Sequence, residues 1–336
     1  MTLLADIDTA TRVWHHGVRP LPDPAIPVVM PVGPDHNPMP SLDASLRASR
    51  GAPALIHVVV LNGETADTGR VRTIRSGMRA LAAPFALVEV RADIGYVRAV
   101  EIGLATATRL GARNDRVGFL DADSDLRDPR HWAHVNAELD SDASLDAVSG
   151  LVIHAECEVW ETLSSARFVH ALSQALGRPV EKPYIQGGAG GTLARRHVFE
   201  ASVSAALAMG TLIGPTLSAA AIARGRSVRA TGRLPCGHTR RRTMAEWLAS
   251  VTTYERSWRK LVHLHGSDIE TPWLSFLDRA RHLLRHDPAI LADIAENQRL
   301  RRNVVEAVER SAGRYDPALD ANDAPLVAAT RAKGRP

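Results

Sequence analysis

The chain has 336 residues, 45% of them hydrophobic but only 4% aromatic, and a formal net charge of +4. That length holds two average domains or one larger α/β domain with an appendage, around a core of mostly Ala, Val, Leu and Ile. Two cysteines, Cys157 and Cys236, exclude a disulfide scaffold and fit a reduced, cytoplasmic setting, and no apolar run approaches a signal segment or a membrane span. The modest, scattered charge suits an anionic small substrate as much as nucleic acid, but no basic helix with interleaved aromatics and no zinc spacing points to nucleic-acid recognition.

Residues 1–24 lack periodicity and read as an arm. Ile26–Val32 (I-P-V-V-M-P-V) reads as a first strand, bounded by Gly33, Pro34, Asp35, Asn37 and Pro38. A short helix is expected over 41–50, a strand over 55–61, a helix over 71–81, a strand over 86–91 and a long helix over 95–110. Val117, Gly118, Phe119 and Leu120 then form a fourth buried strand. The alternation of strands and helices argues for an open α/β architecture, a mostly parallel sheet with helices on both faces.

This fourth strand ends in Asp121, Asp123 and Asp125 within R-V-G-F-L-D-A-D-S-D-L-R-D. Ligands of α/β sheets bind at the carboxyl ends of strands. Carboxylates spaced i, i+2, i+4 repel one another unless protonated or bridged, and their hard oxygens suit Mg²⁺ or Mn²⁺ carrying a diphosphate. The same residues would also serve as a polar turn before the next helix.

A helix is expected over 129–139, a strand over 145–154 and a helical stretch over 159–176. Residues 186–196 (Q-G-G-A-G-G-T-L-A-R-R) place four glycines, Gly190 and Gly191 among them, before Arg195 and Arg196. Such a loop lets backbone amides approach a ligand, with an arginine engaging phosphate, or it is a flexible turn. Helices over 198–209 and 216–224, a strand over 227–230 and a polar segment with His238 follow. His238 comes after a strand, from where a neutral imidazole reaches a metal. From residue 244 the periodicity turns helical, with Trp247, Trp258 and Trp273 as packing anchors and a last helix over 288–310. Residues 315–336 read as a solvated tail.

In this order the elements resemble those of glycosyltransferase family 2 enzymes with a GT-A fold. The likeness spans about residues 26–242 and rests on I-P-V-V-M-P-V, V-V-V-L-N-G-E-T-A-D-T, G-Y-V-R-A-V-E-I-G-L before F-L-D-A-D-S-D, the 186–196 loop, and His238 with Arg240. The resemblance implies a GT-A (Rossmann-like), mostly parallel mixed sheet over 25–243 with a helical extension over 244–314. It implies a nucleotide-sugar donor, UDP-sugar favoured, with Asn62 and Asp67 near the nucleobase and Asp93 and Arg98 lining the nucleotide pocket. Asp121 would face the ribose or the metal shell, Asp123 would bind Mn²⁺ or Mg²⁺, and His238 would complete the metal site. The acceptor would be a soluble small molecule or peptide, and the C-terminal helices offer a homodimer surface.

The sequence departs from the family where inverting members place an acidic pair. Gly214 and Pro215 stand there. A general base would then come from Glu200, Glu156 or Glu158, or the leaving phosphate would take the proton with retention of configuration. Two further readings stay open: a nucleotidyltransferase acting on a sugar phosphate, which would release pyrophosphate, and a noncatalytic nucleotide-sugar-binding scaffold.

Overall fold

A computed structural model of the chain describes residues 11–16, 25–34, 36–63, 69–81, 83–153, 166–238 and 244–312. The strands are β1 (Thr11–His16), β2 (Ile26–Val32), β3 (Leu55–Asn62), β4 (Phe85–Val90), β5 (Arg116–Phe119), β6 (Ser124–Leu126), β7 (Leu145–Ile153), β8 (Glu181–Lys182), β9 (Thr192–Arg195) and β10 (Ser227–His238). Up to residue 176 the helices are α1 (Met39–Arg47), α2 (Gly69–Ala80), α3 (Tyr96–Arg109), α4 (His131–Ser141) and α5 (Ala166–Leu176). Beyond it come α6 (Arg196–Met209), α7 (Ile213–Ile222), α8 (Met244–His265), α9 (Thr271–Leu283) and α10 (Pro288–Ala312).

One mixed sheet runs β1-β4-β3-β2-β5-β9-β7-β10-β6, with β8 on β10. Strands β2 and β4 are buried along their whole length and β3 along all but its first residue, as near-continuous apolar runs must be when helices cover both faces. Their pairing is parallel, which requires the crossovers that α1, α2 and α3 supply. Alternate residues face opposite layers: Val28, Met30 and Val32 join Leu42, Ile74 and Met78, whereas Val58 and Val60 join Ala99 and Ile102. Helix α3 lies so close that a Cβ on Gly103 would come 2.5 Å from Val29 Cγ1.

Three segments differ from the sequence reading. Residues 11–16 are an edge strand antiparallel to β4, not an arm, because Trp14 Nε1 donates to the buried Glu89 Oε1 at 2.7 Å and Arg75 covers the indole at 4.4 Å. The end of the glycine loop forms β9, antiparallel between β5 and β7, where Leu193 and Ala194 fill core space. Strand β10 continues well past residue 230 across a register shift between Thr231 and Pro235. The tail at 315–336 and residues 159–165 of the expected helical stretch lie outside the described residues.

The helices after residue 243 share hydrophobic clusters with the sheet layers. Ala280, Leu284, Ile290 and Ile294 pack with Leu151, Phe168 and Val180, and Leu261 packs with Ala219. Trp258 and Trp273 are packing residues, each set edge-on to Tyr184 at ring-centroid distances of 4.8 and 5.6 Å. The side chain of Trp247 lies outside the described residues. No single described helix is long and apolar enough to cross a membrane.

Two buried histidines brace the core. Ser45 Oγ bonds His57 Nε2 at 2.8 Å and accepts from Trp132 Nε1 at 3.0 Å, while His131 Nε2 bonds the Gly191 carbonyl at 2.7 Å. Burial lowers both imidazoles from 6.5 to about 4. The unfolded chain therefore takes up protons that the folded chain refuses, so stability is complete above 6.5 and is lost as pH falls toward 4. Thermal melts between about pH 7.5 and about pH 4.5 will show a falling midpoint, and His57→Gln will flatten that dependence.

Candidate active site

The carboxyl ends of β2, β3, β4 and β5 form one edge of the sheet, and the acidic turn sits on it. After Phe119 the chain stays on the sheet for one residue, Leu120 N–H donating to the Val29 carbonyl at 3.0 Å, and then leaves at Asp121. The Ala122 carbonyl accepts from Ser41 Oγ at 2.8 Å, which pins the turn to α1. Strand β6 pairs antiparallel with the end of β10, Ser124 opposite His238 and Asp125 opposite Gly237. That register sets His238 Nε2 3.1 Å from Asp123 Oδ2.

Asp121, Asp123 and His238 line one cleft of about 430 Å³. Its other walls are Pro31 near the end of β2, Gly33 and His36 after it, Tyr96, Phe119 and Ala122, Gln186 and Gly187, Leu212 to Gly214 at the start of α7, and Ser250, Thr253 and Tyr254 on α8. Tyr96 donates its hydroxyl to Asp121 Oδ1, and Tyr254 donates to the Gln186 carbonyl. Tyr96 is 38% exposed as a residue; desolvation of its hydroxyl, and then the Asp121 carboxylate, push the phenol well above its ordinary pKa.

The remaining expected residues divide sharply. Asp125 is not a wall of the cleft; it pairs with Arg127 at 3.0 Å. Asn62, nearly buried, donates from Nδ2 to Asp93 Oδ1 at 2.7 Å and accepts the Ile94 N–H at 3.0 Å, so the two expected nucleotide contacts hold the loop between β4 and α3. Arg98 pairs with Glu101 along α3. Asp67, Glu156 and Glu158 lie outside the described residues.

The arginines and Glu200 lie away from this cleft. Because β9 runs antiparallel to β5, Arg195 lies opposite Arg116, at the amino end of β5 and away from the acidic turn. Arg195 donates to the Leu145 and Leu139 carbonyls, and Arg196 to the Ala112 carbonyl. Glu200 stands one turn along α6, 3.6 Å from Arg196, at the same far edge. None of the three lines the cleft, so neither a phosphate contact nor a base is placed there.

Gly190 and Gly191 also serve packing rather than ligand approach. A Cβ on Gly190 would meet the Gly150 carbonyl at 2.2 Å, and one on Gly191 would meet His131 Nε2 at 2.7 Å. Gly214 explains the missing acidic pair: a Cβ there would come 2.6 Å from Gly187 N and 2.8 Å from the Ile185 carbonyl. Helix α7 starts flush against the glycine loop, where no side chain fits. Sequence reasoning passed over Tyr96, Gln186 and Tyr254. The signals available were Tyr96 directly after Gly95 and the hydroxyl residues Ser250, Thr253 and Tyr254 at helical spacing.

The donor set can be tested against a divalent cation. Two carboxylates and an imidazole face one cleft, and a cation of the Mg²⁺ or Mn²⁺ type needs only one or two protein carboxylates when substrate phosphates and water complete its shell. Among the described residues no group of three or more His, Cys, Asp or Glu, Asp121, Asp123 and His238 included, stands close enough to hold a metal ion without further ligands. The arrangement suits an ion that arrives with a diphosphate better than a permanently coordinated one.

No family model and no curated protein matches this sequence. Among solved structures the fold is similar to mannosyltransferase PcManGT from Pyrobaculum calidifontis, in complex with GDP-Man and Mn²⁺. The match covers 91% of this chain and 86% of that chain at 18% identity, with a TM-score of 0.51. A mycobacterial protein matches over 73% of this chain and 76% of its own at 15% identity, with a TM-score of 0.43. At such identities the first likeness speaks to the fold: the mixed α/β sheet flanked by helices is one that a glycosyltransferase also has.

Gly188 bears directly on the acidic turn, since a Cβ there would sit 2.6 Å from Asp121 Oδ1 and 2.7 Å from Asp121 N. Gly188→Ala must displace backbone, and a loss of about 1–3 kcal/mol in denaturant unfolding is expected.

Proposed function

We propose that the chain is a metal-dependent glycosyltransferase of the family 2, GT-A type, moving a sugar from a nucleoside diphosphate to a soluble small-molecule or peptide acceptor. The observation that carries this reading is the convergence of Asp121, Asp123 and His238, from separate parts of the chain, in one cleft at the carboxyl edge of parallel strands. Residues 25–243 would form the donor-binding domain, with the helical extension supplying the wall opposite the acidic turn.

In this reading Asp123 and His238 would hold a divalent cation, and Asp121 would orient the donor beside it. When bound, the cation supplies neutralisation of the charge that develops on the departing diphosphate. Asp121, Asp123 and His238, fixed in the cleft, would give such a cation and the diphosphate that accompanies it one place to sit, which lowers the cost of orienting the diphosphate for bond cleavage. The anomeric carbon–oxygen bond to the diphosphate breaks with its electron pair leaving on the diphosphate, a bond to an acceptor hydroxyl forms, and the proton of that hydroxyl passes to an oxygen of the departing diphosphate. Ser250 and Thr253, across the cleft, offer hydroxyls for the acceptor.

The test is calorimetry and turnover with a nucleotide-sugar panel, with and without Mn²⁺. UDP-sugars lead the panel because of the family resemblance, and GDP-mannose because the similar mannosyltransferase carries it. Asp123→Ala is expected to weaken Mn²⁺-dependent donor binding at least about tenfold, the scale seen even for outer partners of metal ligands. Unchanged affinity in a folded Asp123→Ala protein contradicts the assignment, and release of pyrophosphate rather than a nucleoside diphosphate identifies a nucleotidyltransferase.

Glu200→Ala provides the contrasting measurement. Its far-edge position predicts kcat within about twofold of the parent, as for an ordinary surface substitution. Severe loss of turnover with intact folding would return Glu200 to the base role.

A further inference from the structure

A chain of contacts leads from the end of β3 to the acidic turn. Asn62 fixes Asp93, whose Oδ1 also accepts the Gly95 N–H at 3.0 Å. Gly95 has φ +79°, a left-handed conformation that favours glycine, and it turns the chain so that Tyr96 opens α3. The Tyr96 ring leans on Phe119, with centroids 5.9 Å apart, and Phe119 leans on Phe199 at 5.4 Å. At the end of this series the Tyr96 hydroxyl donates to Asp121 Oδ1.

We propose that Tyr96 is a positioning residue for the donor site: it holds one oxygen of Asp121 so that the carboxylate meets the nucleoside diphosphate and its cation in a single orientation. This rests on the glycosyltransferase reading above and assigns Asn62 and Asp93 a supporting task in place of nucleobase contact. A short carboxylate on an open turn otherwise samples several rotamers, and binding would have to arrest that motion. A charge-assisted hydrogen bond from a ring at the start of α3 that rests on Phe119 arrests it in advance. Phe119 also lines the cleft, so the aromatic wall that supports Tyr96 belongs to the same site.

Tyr96→Phe keeps the ring and removes only the donor. Donor KM and the Mn²⁺ concentration for half-maximal activity are expected to rise about tenfold, the usual scale for a hydrogen bond to a charged group, with the melting temperature close to that of the parent. In an Asp121→Asn background, where the charge is already gone, the same change should cost no more than about twofold. A purely packing role would instead lower the melting temperature and add independently to Asp121→Asn.

Additive losses, or a Tyr96→Phe protein with unaltered donor KM and Mn²⁺ requirement, overturn the proposal while leaving the functional reading in place. A parent protein that binds no nucleoside diphosphate with Mn²⁺ overturns both.

Discussion

The pairing of β6 with the last residues of β10 decides what the carboxyl edge of the sheet is able to do. Three residue pairs, Leu126 with Cys236, Asp125 with Gly237 and Ser124 with His238, turn an acidic turn into a two-sided site. Without that register Asp121 and Asp123 would be a mutually repelling polar loop, and His238 a strand-end histidine with no charge to face. The pairing is short, yet it is clamped. Cys236 is buried with burial pushing its thiol up to about 12, and its Sγ lies 3.4 Å from the Gly190 carbonyl. The glycine loop therefore supports β10, and a side chain on Gly190 would collide with Ser149 and Gly150 of β7, the strand beside β10.

The same close approaches explain why the glycine-rich loop misleads as a sequence signal. Glycines ahead of arginines resemble an anion cradle, since both need backbone unobstructed by side chains. Here the backbone is approached by other backbone: Gly188 by Asp121, Gly190 by Gly150, and Gly187 by Gly214. The arginines then ride β9 away from the acidic turn. A sequence shows that glycines permit close contact but does not say with what, and strand direction, which sent Arg195 to the far edge, is a property of the assembled sheet.

The parts of the fold legible from sequence were those whose physics is local. Strands β2, β3, β4 and β7 are apolar runs buried on both faces, and α2 and α3 carry amphipathic periodicity, so their positions follow from the residues alone. Strand β9 is four residues long and owes its form to two neighbours, and β10 is interrupted by Gly232 and Pro235 at its register shift. Asp121 and Asp123, which share one cleft with His238, drew notice in the sequence because carboxylate spacing at a strand end is itself a chemical statement. Tyr96 did not, because one tyrosine at a helix start means nothing until Asp121 stands beside it.

Helix α8 links the helical extension to the site through the glycine loop rather than through the acidic turn. Tyr254 holds the Gln186 carbonyl, and two residues earlier in the loop Tyr184 is wedged against Trp258 and Trp273 while its hydroxyl donates to the Ile269 carbonyl at 2.6 Å. Gln186 is thus tied to the extension by a hydrogen bond and by an aromatic cluster close behind it. Moving α8 must move the loop, and the loop touches both α7 through Gly187 and Asp121 through Gly188. The acidic side of the cleft is anchored to α1, β5 and β10, whereas the hydroxyl side travels with α8. A ligand bridging the two sides would touch both the sheet edge and the helical extension, whose mutual placement the aromatic cluster and the Tyr254 hydrogen bond beside the loop help to fix.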